Sequence, residues 1–155
     1  MNKNIVKQFV FCILGFFLAA GAVHAETLLQ MGTDSASPGD IITLPFTLKT
    51  DVEISALSTD LYYDAGQLTF EYAKAGLAAQ GKSLISNQIS TNTVRLGLIS
   101  IGNMPMDNGE VVEVTFSVNP EATPGKIMIH QTASGSTPEG EPVLVKGISG
   151  RVGIE

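Results

Sequence analysis

Apolar side chains recur at every second position in short runs along this chain, and that period leaves little choice of fold. Ile42, Leu44, Phe46 and Leu48 alternate with Thr43, Pro45 and Thr47. Val112, Val114, Phe116 and Val118 alternate with Glu113, Thr115 and Ser117. Successive side chains of an extended strand point to opposite faces, so each run buries one row and leaves the other to solvent. A helix would need apolar positions three and four apart, which these runs do not show.

The punctuation between runs agrees. Ser37-Pro38-Gly39-Asp40 is a turn, and Asp64-Ala65-Gly66, Asn92 and Pro124-Gly125 mark further ones. By alternation Leu57, Leu61 and Tyr63 face inward, while Ala56, Ser58, Asp60 and Tyr62 face outward. Leu68, Phe70 and Tyr72 form the next expected inward row, opposite Thr69 and Glu71. Residues 73–82 are rich in Ala and Gly and leave room for a short helical turn. Ser83 to Ile89 reads as a strand, and Val94, Leu96 and Leu98 mark the next, with Arg95, Gly97 and Ile99 outward. Ile127 and Ile129 open another, and a Gly/Ser/Pro stretch at 134–142 separates it from a last strand, Val143 to Ile154. Pro45 lacks an N–H, which predicts a sheet edge or a bulge at that point. About nine strands and no convincing amphipathic helix predict an all-β sandwich or barrel in one domain.

The first 25 residues read differently. Lys3 and Lys7 precede an apolar run from Phe9 to Ala20, and Val23-His24-Ala25 offers small residues for cleavage. The run is short for a membrane span, so the expectation is a signal peptide cut after Ala25, with 26–155 as the mature domain. The single cysteine, Cys12, lies within that segment and lacks the small neighbours of a lipoprotein signal. The mature chain therefore has no disulfide and relies on its core. Removing Lys3 and Lys7 leaves seven basic residues against fifteen acidic, a net charge of −8. An acidic, aromatic-poor surface argues against nucleic acid and anionic membranes. The expected location is exported: periplasmic, extracellular or at the cell surface.

Catalytic hardware is sparse. His130 is the one histidine beyond the N-terminal segment, and it lies between Ile129 and Gln131 on the outward parity of its strand. A Ser-His-Asp triad would have to use it, and metal sites built on His or Cys lack ligands. Glu71, Glu110, Glu113 and Glu121 lie on strand faces or turns, without the exposed aromatics that accompany a glycosidase cleft. Asp107-Asn108-Gly109-Glu110 lacks the alternating oxygen ligands of a calcium loop and reads as a tight turn. Gly147, Gly150 and Gly153 read as close-packed strand glycines. Met104-Pro105-Met106 reads as a cap on the open end of the barrel, with extension of a binding surface by the adaptable Met side chains as the alternative. The chain is expected not to be an enzyme and to need no cofactor.

Taken in order, these pieces resemble the cohesin modules of bacterial multi-enzyme scaffolds. The resemblance runs from the strand–Ser-Pro-Gly-Asp–strand opening through the Tyr-Asp corner (Leu61-Tyr62-Tyr63-Asp64) and Thr93-Val94-Arg95-Leu96-Gly97-Leu98. It continues through Asn108-Gly109-Glu110-Val111-Val112, Val114 to Val118, Pro124-Gly125 and Gly150-Arg151-Val152-Gly153-Ile154. The resemblance implies a nine-stranded jelly roll without a catalytic centre, which binds a dockerin module of another protein; calcium, where involved, sits on the dockerin. It also implies a flat partner face that includes the strand before the Tyr-Asp corner. The residues assigned to it here are Ser58, Asp60, Tyr62, Arg95, Gly97, Ile99 and Ser100. This chain has Ala56 and Ser58 where family members that bind calcium-loaded dockerins often carry Asn or Asp.

Two other readings compete. A carbohydrate-binding module would use the same fold, but stacking on sugars wants several exposed aromatics. The chain has no Trp and three Tyr, of which alternation leaves only Tyr62 outward. A structural subunit of an envelope assembly would need neither dockerin nor polysaccharide.

Overall fold

The computed structural model describes residues 26–155, so the expected signal segment lies outside the described residues. The strands are β1 (Thr27–Met31), β2 (Thr33–Ala36), β3 (Ile41–Lys49), β4 (Ala56–Tyr62), β5 (Leu68–Ala75), β6 (Ser83–Ser90), β7 (Thr93–Ile99), β8 (Gly109–Val118), β9 (Gly125–Ser136), β10 (Pro142–Ile148) and β11 (Gly150–Ile154). A single 3-10 turn, Leu77–Ala79, occupies the Ala/Gly-rich stretch. The ladder runs β5-β8-β3-β1-β10-β9-β4-β7-β6, with β11 bridging β9 and β2. It folds over on itself around one core.

The eleven segments are the expected nine strands with two of them broken once. The first breaks at Gly32 between β1 and β2; the last breaks at Ser149 between β10 and β11. Both breaks sit side by side, because β1 pairs parallel with β10 and β2 pairs parallel with β11. Space is short there. A Cβ on Gly32 would lie 2.7 Å from Pro45 Cδ, and one on Gly150 would lie 2.6 Å from Met31 Sδ. Gly147 is equally tight, 2.8 Å from Gln131 Cγ. The long strand β9 spans the break. Its first part pairs with β11 and its last part with β10. The Gly/Ser-rich residues 134–136 therefore belong to β9, and the loop before β10 is shorter than the expected 134–142.

The inward rows meet in one core that includes Leu29, Leu44, Phe46, Leu61, Leu68, Leu96, Val114, Phe116 and Ile129. Phe116 sits edge-on to Tyr63 at 5.2 Å and to Phe70 at 6.0 Å between ring centroids. Burial pushes the Tyr63 phenol above its ordinary pKa, and its oxygen accepts a hydrogen bond from Gln88 Nε2 at 3.0 Å. One buried polar side chain ties the layers. Gln131 Nε2 donates to Leu29 O at 2.8 Å and Ile148 O at 2.6 Å, while its Oε1 accepts from Thr59 Oγ1 at 3.1 Å. That satisfies carbonyls beside the β10–β11 break, where the ladder is interrupted.

Two expectations change. Tyr72 faces outward and is 55% exposed, because β5 carries a bulge between Phe70 and Tyr72. The extra residue, Glu71, reverses the parity, so Tyr72 pairs with Thr115 rather than joining the inward row. Pro45 lies within the ladder, not on an outer strand, since β3 sits between β1 and β8. The bulge expected there is adjacent, between Phe46 and Thr47. The β1 register reaches β3 as far as Phe46, and the next bond, Gly32 N–H to Pro45 O at 2.8 Å, places Pro45 opposite the β1–β2 break.

The expected tight turn Asp107-Asn108-Gly109-Glu110 is divided: Asp107 and Asn108 lie in the connection, and Gly109 and Glu110 already open β8. Asn108 imitates a strand partner: its Oδ1 accepts from Thr50 N at 2.8 Å and its Nδ2 donates to Thr50 O at 3.0 Å. Met106 is buried and caps the core, whereas Met104 is exposed.

Candidate functional site

The face assigned from sequence is built on β4, which lies between β9 and β7, with β6 beyond β7 and β10 beyond β9. Residues directly opposite each other in antiparallel ladders share a face. One outward row therefore crosses Leu144, Ser134, Ser58, Gly97 and Ile85. The next crosses Thr132, Asp60, Arg95 and Asn87, and a third crosses His130, Tyr62 and Thr93. Leu57, Thr59 and Leu61 alternate into the core and fix this presentation.

The first row makes the relief. Ser134, Ser58 and Gly97 are small, and a Cβ placed on Gly97 would meet nothing within 4 Å. Leu144 and Ile85, both exposed, stand at the two ends. The result is a shallow trough across the sheet. A depression of about 430 Å³ is lined by Ser58, Asp60, Arg95, Thr132 and Ser134. A second of about 360 Å³ adjoins it along Ala56, Gly97, Ile99 and Ser136. These are open hollows of a sheet surface rather than an enclosed substrate cavity.

Within these three rows the charge is one ion pair. Arg95 Nε donates to Asp60 Oδ1 and Arg95 Nη2 to Asp60 Oδ2, both at 2.7 Å. This bidentate geometry fixes the guanidinium plane. The pair holds the Asp60 carboxyl below its ordinary value and raises Arg95 further. Asp60 retains 16% side-chain exposure and Arg95 57%, so the guanidinium is the half turned to solvent. Tyr62, 40% exposed, lies one row away.

The sequence-assigned residues gather with one exception. Ser58, Asp60, Tyr62, Arg95, Gly97 and Ile99 share the face. Ser100 sits at its corner, where its hydroxyl accepts from Lys82 Nζ at 2.9 Å. Lys82 also donates to Ser55 O at 2.7 Å and to Met104 O, and partial burial lowers its pKa. It clamps the loop carrying Ile101 and Met104 against the β3–β4 connection. Sequence reasoning missed the β9 contribution of Thr132, Ser134 and Ser136, because a Gly/Ser-rich stretch carries no hydrophobic alternation strong enough to mark a strand. It also missed Leu144 and Ile85, whose importance depends on register.

Among the described residues no group of three or more His, Cys, Asp and Glu is placed to hold a metal ion. His130 is exposed; its nearest polar partner is the Ser149 hydroxyl, 3.4 Å from Nδ1. Among the described residues no helix is long and apolar enough to cross a membrane.

The sandwich has solved counterparts. The CaDoc0917–CaCohA2 complex, with CaCohA2 from Clostridium acetobutylicum, matches with a TM-score of 0.76 at 18% identity, covering 83% of this chain and 99% of that one. The type I cohesin–dockerin complex Coh-OlpA-Doc918 of Clostridium thermocellum matches with a TM-score of 0.75 at 20% identity, over 84% of this chain and 99% of that one. A non-cellulosomal cohesin of the archaeon Archaeoglobus fulgidus matches with a TM-score of 0.72 at 20% identity, over 84% and 92%. No curated protein matches the sequence. At these identities the structures speak for the fold; the assignment rests on the family model for the cohesin domain, which matches residues 28–154 and so takes in every strand from β1 to β11, and the chain belongs to that family.

Proposed function

We propose that residues 26–155 form a non-catalytic docking module of an exported protein, and that the β9–β4–β7–β6 face receives a dockerin-type module of another protein. The observation that carries this reading is the trough: small residues at Ser134, Ser58 and Gly97 between aliphatic ends, with Tyr62 and Arg95 beside it. A standard interface buries about 1,600 Å² in total and is won by a few anchors, for which Tyr and Arg are favoured. The sheet offers area and anchors but no enclosed pocket. Solved relatives of the same fold are complexes with dockerins, which favours that class of partner. Where other members carry Asn or Asp, Ala56 and Ser58 give this face less hydrogen-bonding capacity. The partner is accordingly expected to be selective for a smoother, more apolar contact.

A polysaccharide ligand is the weaker reading. Tyr62 and Tyr72 are both exposed, but they lie on opposite outer faces and cannot form one stacking platform. The test is calorimetry against a panel of purified calcium-loaded dockerin modules, repeated with chelator, with retention on insoluble glycans as the control. Calcium-dependent binding that Tyr62→Ala weakens supports the reading. Binding to no dockerin, or binding that Tyr62→Ala leaves unchanged, overturns it.

A further inference from the structure

The connection from β7 to β8, Ser100 to Asn108, leaves the sheet where Ile99 ends the face proposed for docking. Ile101 in this loop is fully exposed, and Met104 is largely so. Single exposed apolar side chains are ordinary. These two differ because the loop is kept from folding them back onto the sheet. Lys82 Nζ donates to Ser100 Oγ at 2.9 Å and to Met104 O, which clamps both ends of the segment between them. It also donates to Ser55 O at 2.7 Å, just before β4. Further along, Met106 N donates to Ile54 O at 2.7 Å and Asp107 N to Ala78 O at 3.0 Å. Between the clamped ends Gly102 and Asn103 both take left-handed backbone, so the chain turns sharply there. The domain has fifteen carboxylates, yet the Lys82 ammonium makes no ion pair among the described residues and is committed to this loop. Beside the loop lies a hollow of about 250 Å³, lined by Ile99, Asn103, Ser136, Pro138 and Glu139. Its far wall, the β9–β10 turn, is fixed as well, by Thr137 N to Glu141 O and Gly140 N to Thr137 O, both at 2.9 Å. Ala56, Ile99 and Ser136 line both this hollow and the trough, so the relief is continuous from the sheet to the loop.

We infer that the β7–β8 loop is a second anchor of the docking interface: the partner extends past the sheet over this corner and packs an apolar side chain against Ile101 and Met104, with Lys82 as the positioning residue that holds them outward. This rests on the docking reading, and the occupant is the same dockerin-type module. Continuity selects it, because a body seated on the trough at Ala56 and Ile99 already borders the loop. The clamp then has a purpose. A loop ordered before binding adds no ordering cost to the complex. The corner is apolar at Ile99, Ile101 and Met104, with Asn103 and Glu139 around it, and interfaces share that plan of apolar centre and polar rim.

The test is calorimetry of the product of the full-length gene against the panel of calcium-loaded dockerin modules, with Tyr62→Ala as the reference variant. Ile101→Ser is expected to weaken binding about ten-fold or more, the loss of one buried aliphatic side chain. Its melting temperature should match wild type, since Ile101 is exposed in the free chain. Lys82→Met is expected to weaken binding too, and to speed amide exchange across Ser100–Met104 in the free chain. In the Lys82→Met background, Ile101→Ser should weaken binding by a smaller factor than it does in wild type, because an anchor that is no longer held contributes less. Binding that Tyr62→Ala weakens but Ile101→Ser changes by less than about two-fold leaves the docking reading standing and overturns this one. Binding to no dockerin overturns both. Strictly additive effects of Lys82→Met and Ile101→Ser would overturn the positioning role and leave Lys82 as a support of the fold alone.

Discussion

The two outer faces of the sandwich treat their polar side chains differently. On the β5–β8–β3 side the polar side chains bind each other. Lys74 pairs with Glu113, Ser117 Oγ donates to Glu71, Thr69 Oγ1 donates to Asn119 Oδ1 at 2.8 Å, and Thr43 and Thr115 share a hydrogen bond at 3.1 Å. On the β9–β4–β7–β6 side Asp60 and Arg95 pair, but the hydroxyls of Ser58, Thr132 and Ser134 make no side-chain hydrogen bond among the described residues. On the first side these polar groups are satisfied by the chain itself; on the second the trough hydroxyls stay open to water or a partner, while Thr93 and His130 at its margin bond to Asn92 and Ser149. Polar groups already paired gain nothing from association, whereas unpaired exposed ones can be satisfied across an interface. The difference, more than any single residue, distinguishes the side proposed for docking.

The harshest way to break the comparison is to remove what both faces share. Phe116→Ala deletes the ring on which Tyr63 and Phe70 pack from either layer. It is expected to cost about 3–5 kcal/mol, as a large core truncation does. Urea denaturation measures it, and a loss under about 1 kcal/mol would mean that the layers are not coupled through this ring. Gln131→Leu is expected to cost less, about 2 kcal/mol, by leaving the Leu29 and Ile148 carbonyls without a donor.

The two exposed tyrosines sharpen the comparison directly. Tyr62→Ala is expected to weaken dockerin capture by about thirty-fold or more, the effect of losing an aromatic anchor of about 2 kcal/mol. Tyr72→Ala, on the opposite face and more exposed, is expected to change it by less than about two-fold, as surface changes away from an interface do. Equal effects on affinity would show that exposure rather than face decides. Gly97→Leu is the subtler probe. Nothing lies within 4 Å of its Cβ position, so the fold accepts the side chain, yet it fills the trough. About ten-fold weaker binding with an unchanged melting temperature is expected, the order of a 1.4 kcal/mol clash.

How much of this the residues announce depends on how local each feature is. The inward rows from Ile42 to Leu48 and Val112 to Val118 are legible because period two is a property of the strand itself. The outward set Ser58, Asp60, Tyr62, Arg95, Gly97 and Ile99 follows from the same alternation. Tyr72 was not legible, because the Glu71 bulge depends on how β5 meets β8. The trough was not either. Ser134, Ser58 and Gly97 are distant in sequence, and only the register of β9, β4 and β7 lines them up. The breaks at Gly32 and Ser149 have a similar origin. Gly32 and Gly150 are common residues, and it is their contact with Pro45 and Met31 on neighbouring strands that requires the small side chain.

The smallest expected effect separates the Asp60–Arg95 pair as a scaffold from the pair as a contact. Arg95 holds the Asp60 carboxyl below its ordinary value of 3.8 in the folded chain. A depressed carboxyl stabilises the fold wherever it is ionised in both states, above the unfolded value of about 3.9, and that contribution fades as pH falls through the lower folded value. Exposure of Arg95 to solvent and salt keeps the gain small. Melting temperatures of wild type and Asp60→Asn should therefore differ modestly at pH 7 and converge in strong acid. Binding should behave otherwise. If a partner reads the oriented guanidinium, Asp60→Asn lowers affinity already at pH 7, by more than its change in stability accounts for. An affinity that tracks stability alone would confine the pair to holding β4 against β7, and would leave Tyr62 and the trough as the contact surface.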